Sequence, residues 1–240
     1  MFRPIRITAW LRCGVISDLY LPLDGILLYE ACRRQFDGQP EASIPGQGSL
    51  AALSREIMAP TLPLLMVYDG DYRYYACSFA EWGRPFAEGR DYWNKREDSG
   101  KHTDLLDVAV SRIETSKGRY KAYHMPVFYR IAPWVRWWAV GDAAAVKDLL
   151  AMIAAIGKKR VYGWGRVLRW EVEEVSEDKS VIVAGVPQRS VPVTPETQRL
   201  VAPGIRQVFW GYYPPYYEFT NQTMCYMPPG NGGEERQGNC

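Results

Sequence analysis

The chain has 240 residues, 47% of them hydrophobic, and its 29 Lys plus Arg against 27 Asp plus Glu leave a formal net charge of +2. That size suits one large domain, or a domain with an insertion, around a buried core, and near-neutrality excludes a chain that holds nucleic acid by bulk positive charge, so any such face must be a local cluster. Five cysteines at wide spacing, without a C-x-x-C pair, and only two histidines argue against a zinc site and fit reduced, mostly buried thiols.

Arg3, Arg6 and Arg12 interrupt the N-terminal segment, so no signal-peptide core is expected, and no stretch approaches the roughly 20 apolar residues of a membrane span; a cytoplasmic protein without membrane contact is the expectation. Residues 4–16 alternate apolar and polar side chains as a half-buried strand does. Asp24 then stands as the cap of a helix running to Phe36, with Ile26, Leu27, Ala31 and Cys32 on one side, Arg33 and Arg34 on the other, and Gly38 as its stop. QPEASIPGQGS (39–49) reads as a loop. TLPLLMVYDGDYRYYACSFAEW predicts two strands around a turn at Asp69, Gly70 and Asp71.

From 82 to 124 the chain is polar, aromatic and weakly periodic, an excursion from the sheet; over 82–130 its 10 basic minus 7 acidic residues give +3. PVFYRIAPWVRWWAVG predicts a strand. DAAAVKDLLAMIAAIG predicts a helix capped by Asp142 and ended by Gly157, with Val146, Leu149, Leu150, Ile153 and Ile156 at helical spacing. VLRWEVEEV and SVIVAGV read as strands separated by SEDK. The Pro/Tyr-rich last third is expected to cover the sheet or form a small second lobe, and PPGNGGEERQGNC to be a disordered tail. Strand, helix, strand, strand, excursion, strand, helix, strand predicts an α+β fold with a ferredoxin-like βαββαβ core, shared by RNA-recognition modules and by many unrelated proteins.

The densest cluster is IGKKRVYGWGRV (156–167). From 156 to 170 it holds five basic residues, Lys158, Lys159, Arg160, Arg166 and Arg169, and no acid. Gly157, Gly163 and Gly165 permit positive φ and close approach to a phosphate, the cations neutralise charge, and Tyr162 or Trp164 can stack on a base. The spacing fits neither a P-loop nor G-x-G-x-x-G, which excludes a nucleotide cofactor of those kinds; a solvated basic turn with Gly157 as a plain helix cap fits the same composition. In the excursion, Tyr92, Trp93, Tyr120 and Tyr123 interleave with Lys95, Arg96, Lys117, Arg119 and Lys121, a composition suited to single-stranded nucleic acid and equally to a protein interface. His102 and His124 are the only imidazoles for acid-base chemistry, and no hydrolase or metal motif accompanies them, with Asp69 and Asp71 explained by their turn.

LPLDGILLYEACRR, YWNKR, KGRYKAYHMPVFYR, AAIGKKRVYGWGRV and PPYYEF together resemble the RAMP superfamily of CRISPR-associated proteins, most closely the Cas-five-like (Csf three) family of type IV effector complexes. The resemblance implies a binder rather than an enzyme: a structural subunit, without cofactor or metal, that holds the crRNA 5′ handle in a ribonucleoprotein complex for RNA-guided targeting of foreign DNA. Implied partners are a Cas-seven-like backbone subunit, the large or small effector subunit, target DNA and an accessory helicase. The Gly-rich RNA-binding loop of the family falls on Gly157, Lys158, Lys159, Arg160, Gly163, Gly165 and Arg166, and a thumb-like insertion on the excursion, with Tyr92, Trp93, Lys95, Arg96, Lys117, Arg119 and Lys121 as candidates. The chain then divides into 1–81 (first part of the core), 82–125 (thumb-like insertion), 126–186 (second part of the core, with the loop), 187–227 (C-terminal extension) and 228–240 (tail). Related subunits that process guide RNA keep a metal-independent endoribonuclease as the alternative, with His124, Tyr123 and Lys121 as its trio; a protein-bridging subunit is the third reading.

Overall fold

The computed structural model describes residues 1–35, 60–95 and 123–229. The loop at 39–49, the stretch 96–122 with His102, and the tail from 230 lie outside the described residues. The alternating N-terminal segment forms β1 (Arg3–Leu11), with Ile5, Ile7 and Ala9 buried. It pairs antiparallel with β7 (Trp134–Gly141) on one side and β8 (Val167–Glu174) on the other. The two-residue β4 (Glu81–Trp82) adds to the free edge of β7, giving the order β4-β7-β1-β8.

Helices α1 (Leu23–Gln35) and α2 (Ala143–Ala151) share the core below this sheet, where Leu23, Leu27, Val146 and Leu150 join Ile7, Val135 and Trp137. Each large apolar side chain buried there contributes about 1.5–3 kcal/mol. The Trp137 indole N–H keeps a partner by donating to the carbonyl of Leu21 at 3.0 Å. On the other face Trp10, Trp134 and Trp138 each meet a cation, from Arg169, Arg136 and Arg6 respectively. The chain is thus mixed α+β with antiparallel sheets.

Asp24 is not a cap. It lies inside α1, fully buried, and its carboxylate accepts from the Tyr216 hydroxyl at 2.8 and 2.9 Å and pairs with the equally buried Arg189 at 3.4 Å. A guanidinium out of water demands a carboxylate more strongly than a helix end demands a cap. Asp142 does cap α2: its Oδ1 accepts from the amides of Ala144 and Ala145 at 3.0 Å each, a role worth about 1 kcal/mol. The helix stops at Ala151, short of Gly157, because strand-like pairing takes over at Ala155, which bridges to Arg166.

The predicted hairpin exists as β2 (Met66–Asp69) and β3 (Tyr72–Tyr75), turning at Gly70 with φ 58°. It forms its own sheet instead of completing the main one, tied to β7 by single bridges at Leu64 and Cys77. Its two faces serve two cores: Tyr75 and Met66 join the main one, while Tyr74 packs with Phe79, Val191, Tyr212, Cys225 and Met227 in a second. Burial there pushes the Cys225 thiol up to about 12, and all four described cysteines are free.

PVFYRIAPWVRWWAVG is two strands. β6 (Tyr123–Ile131) pairs over its whole length with β5 (Ala87–Lys95) as a separate ribbon, and β7 begins only after Pro133, which has no N–H to give a ladder. The excursion therefore returns at Ile131. SVIVAGV is likewise a small hairpin, β9 (Ile182–Val183) and β10 (Val186–Pro187), because Ala184 and Gly185 both take positive φ, 48° and 81°, as a tight two-residue turn requires. The last third carries β11 (Val191–Pro192), α3 (Pro195–Leu200), β12 (Gln207–Gly211) and β13 (Gln222–Tyr226), with β13 central in a three-stranded sheet that packs on the β2-β3 hairpin. Among the described residues no helix is long and apolar enough to cross a membrane.

Candidate nucleic-acid interface

The Gly-rich segment is a loop closed at its base. The Ile156 amide donates to the Gly165 carbonyl and the Val167 amide to the Ala154 carbonyl, both at 2.9 Å. One side is fastened to the chain after β1: Lys158 N–H to Ile16 at 2.6 Å, Gly165 N–H to Gly14 at 2.8 Å, and Arg12 N–H to Arg166 at 2.9 Å. The Cys13 thiol completes the seam by donating to the Gly163 carbonyl at 3.1 Å and accepting from the Arg166 amide at 3.3 Å.

This seam assigns the glycines. A Cβ on Gly165 would stand 1.8 Å from the Ile156 carbonyl oxygen, and one on Gly157 2.5 Å from that of Ile16. Both let the loop approach its own chain. Gly163 has positive φ and open space around it, so it alone leaves room for a ligand. A 3-10 turn, Arg160–Tyr162, is entered through Lys159 in the left-handed region at φ 57°, a conformation costing roughly 1–2 kcal/mol without glycine.

The cations divide by environment. Lys158 pairs with Asp18 at 3.0 Å, with both side chains well exposed, a contact worth about 0–1 kcal/mol that a phosphate can displace. The Lys159 ammonium sits 3.6 Å from the Trp93 ring centroid. The Arg160 guanidinium lies over Tyr29 of α1 at 4.5 Å. Arg166 is exposed, with no ion pair among the described residues. Arg169 belongs to the opposite surface, over Trp10 and bonded to Glu171.

Two aromatic pairs seat the ribbon on the loop. Trp93 meets Tyr162 edge-on at 4.5 Å, and Tyr129 meets Trp164 at 5.0 Å; Trp93 also donates its indole N–H to the Tyr123 hydroxyl at 2.7 Å. Tyr162 is 63% exposed while Trp164 is half-buried, so Tyr162 faces outward and Trp164 packs. Because side chains alternate along a strand, Tyr92 points away from Trp93, stacking on His124 at 4.3 Å beneath Arg90. His124 is also bonded to Asn94. Lys95 is the register partner of Tyr123 in the ribbon backbone; Arg96, Lys117, Arg119 and Lys121 lie outside the described residues.

The fold thus brings Lys159 and Tyr162 of the loop against Trp93 of the ribbon, turns Arg160 to Tyr29 of α1, and separates Tyr92 and His124 from them. Sequence reading missed Cys13, Tyr29 and Tyr129. Strand parity with Tyr123 could have found Tyr129, whereas Cys13 and Tyr29 come from a distant part of the chain and carry no local signal. No group of histidine, cysteine, aspartate and glutamate suited to a metal occurs among the described residues.

A family model described as CRISPR type IV associated protein Csf3 matches residues 84–228. That span takes in the ribbon, α2, the loop, β8 and the last third, and leaves out β1, α1 and the first hairpin. A comparison with curated proteins found no match.

Proposed function

The chain belongs to the Csf3 family of CRISPR type IV associated proteins, and from that premise we propose that it is the subunit holding the crRNA 5′ handle in a type IV effector complex. The observation that carries this reading is the joint surface of loop and ribbon. Lys159, Arg160 and the exposed Arg166 belong to the same short loop as the open backbone at Gly163, and the exposed Tyr162 ring lies 6.0 Å from the Lys159 ammonium. Cations for phosphates next to a ring for a base are what a single strand needs.

The strand order β4-β7-β1-β8, with both helices in one core below the sheet, supports a ferredoxin-like RAMP core. On this reading the β5-β6 ribbon is the stem of the thumb-like insertion, and the chain works beside a Cas-seven-like backbone subunit, the large or small subunit, target DNA and an accessory helicase. It binds and does not cut. His124, turned toward Tyr92 and Asn94, is a packing residue of the ribbon.

Affinity for handle RNA should fall steeply with salt, because each neutralised phosphate releases condensed counterions. Replacing Lys159, Arg160 and Arg166 together by Ala should weaken binding and lower the log-log salt slope by about 2, at roughly 0.7 per phosphate contact on a single strand. The RNA should be recovered intact from these titrations without metal. An unchanged slope removes the loop as phosphate clamp, and cleavage abolished by His124→Ala would establish the nuclease instead.

A further inference from the structure

Two hollows of about 300 Å³ each open side by side, the first of them against the loop. Both are lined by Asp18, Tyr20, Pro22, Gly25 and Tyr29, so they form one cleft. At one end stand Lys158 and Arg160 of the loop; at the other stand Trp210 and Tyr217 of the C-terminal sheet region. Rings that belonged to a core would be closed off, yet Tyr29, Trp210 and Tyr217 are 44%, 38% and 61% exposed. The floor beneath them is fixed. Tyr20 packs on Phe79 at 5.4 Å and edge-on to Trp210 at 6.1 Å, and the buried Tyr216 hydroxyl is anchored on Asp24.

The chemistry narrows the occupant. Aromatic walls at one end and cations at the other suit a flat ring joined through a sugar to a phosphate. An apolar peptide would have no use for Lys158 and Arg160, and an acidic one would have no use for the exposed rings at the other end. The Asp18 carboxylate can accept from an N–H on the edge of a base, and its exposed pairing with Lys158 leaves that ammonium available to a phosphate. Gly25 keeps the α1 wall clear, with only Pro22 near the place of a Cβ.

We infer that this cleft takes one unpaired base of the bound RNA, seated between Tyr29 and the Trp210 and Tyr217 pair, with its phosphate at Arg160 and Lys158. The inference rests on the handle-binding reading and adds to it a single-base pocket built by the C-terminal lobe. A base in such a pocket contributes roughly 5- to 100-fold in affinity through stacking.

The test uses the full chain and handle RNAs carrying 2-aminopurine at each position in turn. The expected result is a quenched position that depends on Trp210 and Tyr217, apart from any base stacked on Tyr162. In Trp210→Ala and Tyr217→Ala that quenching is lost and affinity falls about 5- to 100-fold, the salt slope stays unchanged, and Tyr217→Phe retains both signals. Tyr68→Ala, 74% exposed and lining a different hollow, behaves as wild type. Salt-dependent binding with no quenched position, or variants that bind and quench as wild type, overturns the pocket while leaving handle binding in place, and assigns the cleft to a protein partner. Failure of the wild-type chain to bind the RNA overturns both.

Discussion

Gly165 stands against the carbonyl oxygen of Ile156 so closely that a Cβ would lie 1.8 Å away, at a φ of 70°. Gly163, two residues earlier, has φ 92° and nothing within 4 Å. Gly163→Ala should therefore cost only the left-handed penalty, about 1–2 kcal/mol, whereas Gly165→Ala must also push the loop off its base and should cost about 3 kcal/mol or more. Urea unfolding of the two variants measures this difference, and equal losses would contradict the assigned roles. The glycines and cations of the loop were plain in the sequence. Which glycine stands against the chain and which faces open space was not, because it depends on where Gly14 and Ile16 lie.

At the scale of elements, α1 is held by more than its apolar side. Glu30 is buried in it, accepting two bonds of 2.9 Å from Arg33 and one from Arg34, and Arg34 reaches on to Asp148 of α2. The bonds from Arg33, with Arg34 adding to them, hold the Glu30 carboxyl below the usual carboxylate range. A lowered folded pKa stabilises above the unfolded value of about 4.3 and is lost as pH falls through the folded one. Glu30→Gln should thus cost about 1 kcal/mol at pH 7, a figure kept small by water around both guanidinium groups. Unfolding midpoints of variant and wild type should converge as pH drops below about 4. A gap independent of pH would mean that the carboxylate charge is not what Glu30 contributes. The sequence marked this helix and both arginines; it gave no sign that Asp24 faces inward, since the group that draws it in, Arg189, arrives 165 residues later.

Across the whole molecule, Arg189 joins the C-terminal third to the first helix. Its guanidinium, fully buried, bonds to Asp24, to the Tyr216 hydroxyl at 2.9 Å and to the Tyr212 carbonyl at 2.6 Å. Burial works against its charge, yet Tyr216 and Asp24 together keep its pKa raised. Arg189→Met leaves Asp24 buried without its partner and should cost about 3–5 kcal/mol, read by urea unfolding and by faster amide exchange in β11, β12 and β13. Adding Asp24→Leu should recover part of that loss, and a variant as stable as wild type would show that the lobe is held by its apolar contacts alone. By itself the sequence determined the local things: the alternation of β1, the Asp142 cap, the turn at Gly70, the basic loop and its place between the second helix and the final core strand. Each is written in neighbouring residues, through periodicity, φ preference or charge. Only the tertiary structure decided that the hairpin leaves the main sheet, that the strand before Trp134 belongs to a ribbon, that Trp93 and not Tyr92 faces the loop, and that a cleft opens between the loop and the last third. Those depend on which surfaces compete for the same partner, and that competition is settled between segments far apart in the chain.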